Sequence, residues 1–113
     1  MRNFLMATAA AALTAGTAIA GSHSGEIKIG VILGFTGPLE TITPSMGLGA
    51  ELAMKEVTAS GKLLDGATVT PVRGDSTCID AAAATAAAER LITSDKVDAI
   101  MGADCSGVTG AIL

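Results

Sequence analysis

Cys78, Cys105 and Ser106, with Asp75, Asp80 and Asp104 around them, are the residues of this chain whose types and spacing could do chemistry. Two thiols can form a disulfide, hold a metal or supply a nucleophile. His23 is the only histidine and no Cys-x-x-Cys pair occurs, so a metal site lacks its usual partners and a thiolate at Cys105 lacks a nearby imidazole base. Ser106 offers a hydroxyl. If it opens a helix, the N–H groups of Ser106, Gly107 and Val108 have no intrahelical acceptor, and with that hydroxyl they form a seat for a carboxylate. The plainer reading is a serine that caps a helix with no ligand present. The aspartates do not make a paired-carboxylate site: Asp75 fits a strand end, Asp80 a helix cap and Asp104 a loop lining, each for local backbone reasons. Gly30, Gly34 and Gly37 lack both the Gly-x-Gly-x-x-Gly spacing of a dinucleotide loop and the Gly-Lys-Ser/Thr ending of a phosphate loop. That argues against a nucleotide enzyme, and no metal or cofactor is implied.

The elements that must position these residues alternate regularly. Ile27, Ile29, Val31, Ile32 and Leu33 form a nearly unbroken aliphatic run, the pattern of a strand covered on both faces. Gly34 to Pro38 end it in a loop. Pro44 and Ser45 then start a helix whose Met46, Ala50, Ala53, Met54 and Val57 recur at helical spacing, with Glu51, Lys55 and Glu56 towards water, until Ser60-Gly61 closes it. A second strand spans Ala67 to Arg73, and Pro71, which donates no ladder hydrogen bond, places it at a sheet edge. Asp80 caps a helix from Ala81 to about Thr93, with Ala84, Ala88, Leu91 and Ile92 on one stripe. Val97 to Gly102 reads as a third strand, and a third helix opens at or beside Ser106. Strand–helix units of this kind imply right-handed crossovers and a parallel sheet. The fold class is therefore α/β, with the 2-1-3 strand order of flavodoxin-like sheets. Ligands of such sheets sit beyond the carboxyl ends of the strands, at the switch point between the first and third. Two loops lie there, Gly34 to Pro44 and Ala103 to Gly107. In this order Cys78 and Cys105 also share one end of the sheet, which favours the disulfide.

Residues 1–20 carry the marks of an export signal: Arg2, an apolar stretch from Phe4 to Ala15, and Ala18-Ile19-Ala20 as a small-x-small cleavage site. Export takes the cysteines to an oxidising compartment. Arg2 is one of 7 basic residues against 11 acidic ones, so residues 21–113 are more acidic still, which argues against nucleic acid as a partner. From Val108 to Leu113 an apolar helical pattern stops without a cap. The chain is accordingly expected to be a truncated piece, residues 21–113 forming the N-terminal part of a larger binding domain.

Thr36-Gly37-Pro38, Gly49-Ala50-Glu51-Leu52-Ala53, Gly74-Asp75-Ser76-Thr77-Cys78 and Met101-Gly102-Ala103-Asp104-Cys105-Ser106 follow these strands in order. In that combination the chain resembles type I periplasmic binding proteins, and within them the branched-chain amino acid (Leu/Ile/Val) binding family of ABC transporters. The resemblance covers essentially all of residues 21–113. It implies a two-lobed clamshell, of which these residues make part of the first lobe, and a disulfide between Cys78 and Cys105. It implies also that Ser106 helps hold the ligand carboxylate while the backbone at Asp104 and Cys105 lines the same pocket. Where that family carries an aromatic in the loop after Gly-Pro, Ile42 stands here, and Phe35 is the one aromatic of residues 21–113.

The function so implied is capture of a small amino acid or related carboxylate in the periplasm for an ABC permease in the inner membrane, by a protein monomeric at full length and without catalysis. An enzyme on a flavodoxin-like sheet with Cys105 as nucleophile is the alternative from another class, and a clamshell that senses rather than transports is a third.

Overall fold

The computed structural model describes residues 25–113; the export signal read over residues 1–20 lies outside them. Strand β1 (Glu26–Leu33), helix α1 (Thr43–Ser60), strand β2 (Thr68–Asp75), helix α2 (Ala81–Thr93), strand β3 (Ala99–Met101) and helix α3 (Ser106–Ile112) follow in chain order. The three strands are parallel and lie in the order β2-β1-β3. Pro71 is on the edge strand, opposite Ile29, where its missing N–H costs no ladder bond.

Alternation along β1 assigns the two faces of the sheet. Gly30 and Ile32 face α2, and Ile32 forms a buried cluster with Ala88 and Leu91, around which Val72, Val97, Ile100, Ala103 and Ile112 pack. Leu91 approaches the sheet through a gap that glycines provide: a Cβ on Gly74 would stand 2.9 Å from Leu91 Cδ1, and one on Gly30 would stand 3.1 Å from it. Leu91 is 0% exposed, and burying a leucine fully contributes about 1.5–3 kcal/mol. The alanines of α2 have little bulk, so the helix lies close to β2 and β1 while its other flank meets α3. Asp80 caps it, its side chain accepting the Ala83 N–H at 3.0 Å.

On the other face α1 packs against β2 and β1 and does not reach β3. Its expected apolar stripe is therefore only half covered. Met46 is 46% exposed and Val57 41%, and Ala50, Ala53, Met54 and Val57 line an apolar groove of about 410 Å³ with Leu63, Val69 and Met101. The buried side of α1 is carried instead by Thr43 and Gly47, and Gly47 lies against the Phe35 ring. Glu51, expected towards water, pairs with Arg73 on β2, and the Arg73 guanidinium sits 5.0 Å from the Phe35 ring centre. The hydrogen bond to Arg73 holds the Glu51 carboxyl below its ordinary pKa.

β3 is shorter than the apolar run Val97 to Gly102 suggests. Only Ala99, Ile100 and Met101 pair with β1. Just before them Lys96 takes a left-handed turn (φ 57°), and just after them Gly102 (φ 126°) comes so close to β1 that a Cβ there would stand 1.9 Å from the Ile32 carbonyl oxygen. Positive-φ backbone on both sides thus interrupts the regular strand.

Candidate functional site

The carboxyl ends of β1, β2 and β3 release three loops into one rim, and side chains lock these loops together. Cys78, after β2, and Cys105, after β3, are joined by a disulfide with Cα atoms 5.2 Å apart. Those are both of the chain's cysteines. Asp75 ends β2 and reaches across to the loop after β1: it accepts from the Thr36 hydroxyl at 2.6 Å and the Thr36 N–H at 3.3 Å. It also accepts the Thr77 N–H at 2.9 Å. Burial by itself would raise the Asp75 pKa, but the hydrogen bonds from Thr36, Thr77 and the backbone at Phe35 outweigh it and hold the carboxyl below its ordinary value. Thr77 and Cys78 both have left-handed backbones, with φ of 56° and 71°, a conformation that costs non-glycine residues energy and persists only where neighbours enforce it.

Gly34 is the point where the loops meet. Its N–H donates to both carboxylate oxygens of Asp104 at 3.1 Å, and its carbonyl accepts the buried Thr43 hydroxyl at 2.8 Å. A Cβ on Gly34 would press on Cys78, at 3.2 Å from Cβ and 3.3 Å from N. Ser76, fully buried, donates its hydroxyl to Asp104 at 3.4 Å and its N–H to the Leu33 carbonyl at 2.9 Å. Asp104 therefore does more than line its own loop, as the sequence led us to expect: it bonds a residue 70 positions away. Asp75 likewise joins two loops, and of the three aspartates only Asp80 acts purely locally.

Ser106 follows at the first position of α3. The N-cap residue is Cys105, with extended backbone and no side-chain cap bond, so Ser106 does not cap the helix. The first intrahelical bond runs from the Thr109 N–H to the Cys105 carbonyl at 3.0 Å, which leaves the N–H groups of Ser106, Gly107 and Val108 without an acceptor in the helix. Among the described residues the Ser106 hydroxyl makes no hydrogen bond. Ser106 and Gly107 are exposed, and Val108 is buried beneath them. Thr109 steadies the turn, its hydroxyl donating to the carbonyls of Cys105 at 2.9 Å and Ala103 at 3.3 Å. Asp104, Cys105 and Ser106 thus form one corner tied to the loops after β1 and β2. Ile42 is 56% exposed at the start of α1, next to Thr43, whose hydroxyl donates to the Gly34 carbonyl. None of the residues lining the apolar groove under α1 belongs to these loops.

The sequence places Gly34 and Thr43 in a loop at this rim but gives no sign of the bonds they make there, nor of the part Ser76 plays. A threonine at a helix start and a glycine at a strand end carry no signal of a partner far away in sequence.

Comparison with known families matches residues 26–113 to the family described as periplasmic binding protein. The chain belongs to the periplasmic binding protein family. Among its relatives, the "Leu/Ile/Val-binding protein homolog 7" of Brucella abortus (strain 2308) is 37% identical over 107 residues, which is 95% of this chain and 25% of that protein. The chain thus spans about a quarter of the length of the curated relatives it matches. Two solved binding proteins share its fold. The branched-chain amino acid transporter substrate-binding protein LivJ of Streptococcus pneumoniae, in complex with isoleucine, superposes with a TM-score of 0.68 at 33% identity, over 77% of this chain and 24% of that one. An ABC transporter solute-binding protein of Rhodopseudomonas palustris, in complex with 4-hydroxybenzoate, does so with a TM-score of 0.61 at 30% identity, over 77% of this chain and 23% of that one.

Proposed function

We propose that residues 21–113 form the N-terminal part of the first lobe of a solute-binding protein, exported by a signal over residues 1–20, which captures a small amino acid or related carboxylate in the periplasm for an inner-membrane ABC permease. The observation that carries this reading is the exposed Ser106 corner. A hydroxyl and unpaired backbone N–H groups stand together at the ligand-side rim of a parallel sheet, between the ends of β1 and β3. Such donors suit a carboxylate, which accepts hydrogen bonds at both oxygens. Isoleucine and 4-hydroxybenzoate, held by two structural relatives, have a carboxylate in common and little else.

Binding on this scheme makes and breaks no bond. The carboxylate docks on Ser106 with the backbone at Asp104 and Cys105 beside it, Ile42 borders the side-chain end, and a second lobe closes over the molecule by hinge motion. The closed form is then the one the permease distinguishes, since only a difference in affinity between the two forms couples capture to delivery. The protein acts as a monomer and carries no catalytic thiol, Cys105 being held in the disulfide.

The test is carboxylate dependence. Calorimetry on the full-length protein should detect L-isoleucine or 4-hydroxybenzoate and fail to detect isoleucinol or 4-hydroxybenzyl alcohol, which lack the acid. Equal binding of an acid and its alcohol would overturn the assignment of Ser106 to the carboxylate.

A further inference from the structure

β3 contributes only three residues to the ladder, and an aspartate extends its grip on β1 at each end. Asp98 accepts the Lys28 N–H at 2.8 Å and donates its own N–H to the Lys28 carbonyl at 2.8 Å. Asp104 accepts the Gly34 N–H on both oxygens at 3.1 Å. The two carboxylates do the same work at opposite ends of β1, and only Asp104 stands at the rim that carries Ser106.

We propose that Asp104 is a positioning residue for the carboxylate site: without touching the captured molecule, its side chain clamps the loop after β1 and Ser76 to the β3–α3 corner and so fixes the direction of Ser106. This rests on the function proposed above. The disulfide anchors Cys105 to the loop after β2, but a single tether leaves the backbone beside it free to rotate about the linking bonds. A second anchor on the adjacent residue removes that freedom, and Asp104 supplies it through Gly34 and Ser76. Gly34 is itself immobilised, held at its carbonyl by Thr43 and filled in behind by Cys78, so the anchor point is rigid. Among the described residues no other side chain of the Ala103–Gly107 loop bonds the loop after β1. The engagement of both Asp104 oxygens by one N–H also gives its negative charge a partner beside a seat meant for another anion.

The matched control is Asp98, whose loss removes the same type of bond far from the rim. In the full-length protein, Asp104→Ala, Asp104→Asn and Asp98→Ala would be compared by calorimetry with L-isoleucine and 4-hydroxybenzoate as probes, alongside their Tm values. Asp104→Ala is expected to weaken whichever probe binds by about ten-fold or more, the equivalent of one hydrogen bond to a charged group. Asn keeps an acceptor for the Gly34 N–H, so Asp104→Asn should lose clearly less affinity than Asp104→Ala, a neutral hydrogen bond replacing one to a charged group. Asp98→Ala should lower Tm like Asp104→Ala while leaving affinity unchanged. Equal losses of affinity in the two alanine variants would reduce Asp104 to a general stabiliser and overturn the proposal. So would an Asn variant as weak as the alanine one, which would mean that the charge itself meets the probe, and so would an Asp104→Ala variant that binds like wild type. If wild type binds neither probe, the functional reading fails by itself, and backbone order parameters of the ligand-free protein decide the clamp. Ser106 and Gly107 should fall towards the flexible range, below about 0.6, in Asp104→Ala alone; values equal to those of Asp98→Ala would refute it.

Discussion

Breaking the Cys78–Cys105 bond has a size that the fold allows to be worked out. The two residues are 27 apart in sequence, and closing a loop of that length removes denatured-state entropy worth about 3.5 kcal/mol at 25 °C in the chain-entropy model. Against this stands the left-handed backbone of Thr77 and Cys78. Each such residue costs on the order of 1 kcal/mol or more, and a severed loop is free to relax it. The Asp75 bond to the Thr77 N–H resists that relaxation, so the net loss should fall at about 2–3 kcal/mol. With a urea m-value of about 1–3 kcal/mol/M, the midpoint should drop by about 0.7–3 M. The assay is urea unfolding followed by circular dichroism on the oxidised protein, the reduced protein and the Cys78→Ser/Cys105→Ser double variant. The reduced and double-variant curves should coincide, shifted together from the oxidised one. Three superposed curves would refute the reasoning, because the crosslink would then remove no entropy from the unfolded chain.

Two further perturbations address the same rim. The Asp75 carboxyl has its pKa depressed in the folded state, so its contribution is fully present above the unfolded value of about 3.9 and is lost as pH falls through the lower folded value. Asp75→Asn should therefore flatten the acid limb of a Tm-against-pH profile while lowering Tm at neutral pH; a limb of unchanged slope would remove Asp75 from the account. Thr43→Val keeps the shape of a fully buried side chain but strips the donor from the Gly34 and Leu39 carbonyls. It should destabilise by about 1–3 kcal/mol in urea titration, whereas a neutral result would mean that water or relaxation replaces the lost bond.

Much of the fold could be read directly because its signals are local. Asp80 sits before an alanine-rich helix and accepts the Ala83 N–H; Pro71 marks an edge strand by lacking a donor; the aliphatic run from Ile27 to Leu33 has the composition of a central strand. These effects act within a few residues, so the pattern of types carries them. The lock on the rim is different in kind. Asp104 meets Gly34 because β3 lies beside β1, and the donor is a backbone N–H that every residue except proline possesses, so nothing at position 34 marks it. The length of β3 was misjudged for a related reason: Val97 and Gly102 suit a strand, but positive φ at Lys96 and Gly102 interrupts the ladder, and Asp98 holds β1 through its side chain and its N–H. The half-open stripe of α1 follows from where the helix lies over the sheet, which spacing of apolar residues does not encode.

The most direct test of the carboxylate seat is Ser106→Ala in the full-length protein, measured by calorimetry with L-isoleucine and 4-hydroxybenzoate. Ser106 is exposed and its hydroxyl bonds nothing else among the described residues, so Tm should stay within about one degree, as expected of a surface change. Affinity for the probe that binds should fall by about ten-fold, the loss of one hydrogen bond to a charged group. An unchanged Kd would contradict the assignment of the corner between β3 and α3 as the place where the carboxylate is held.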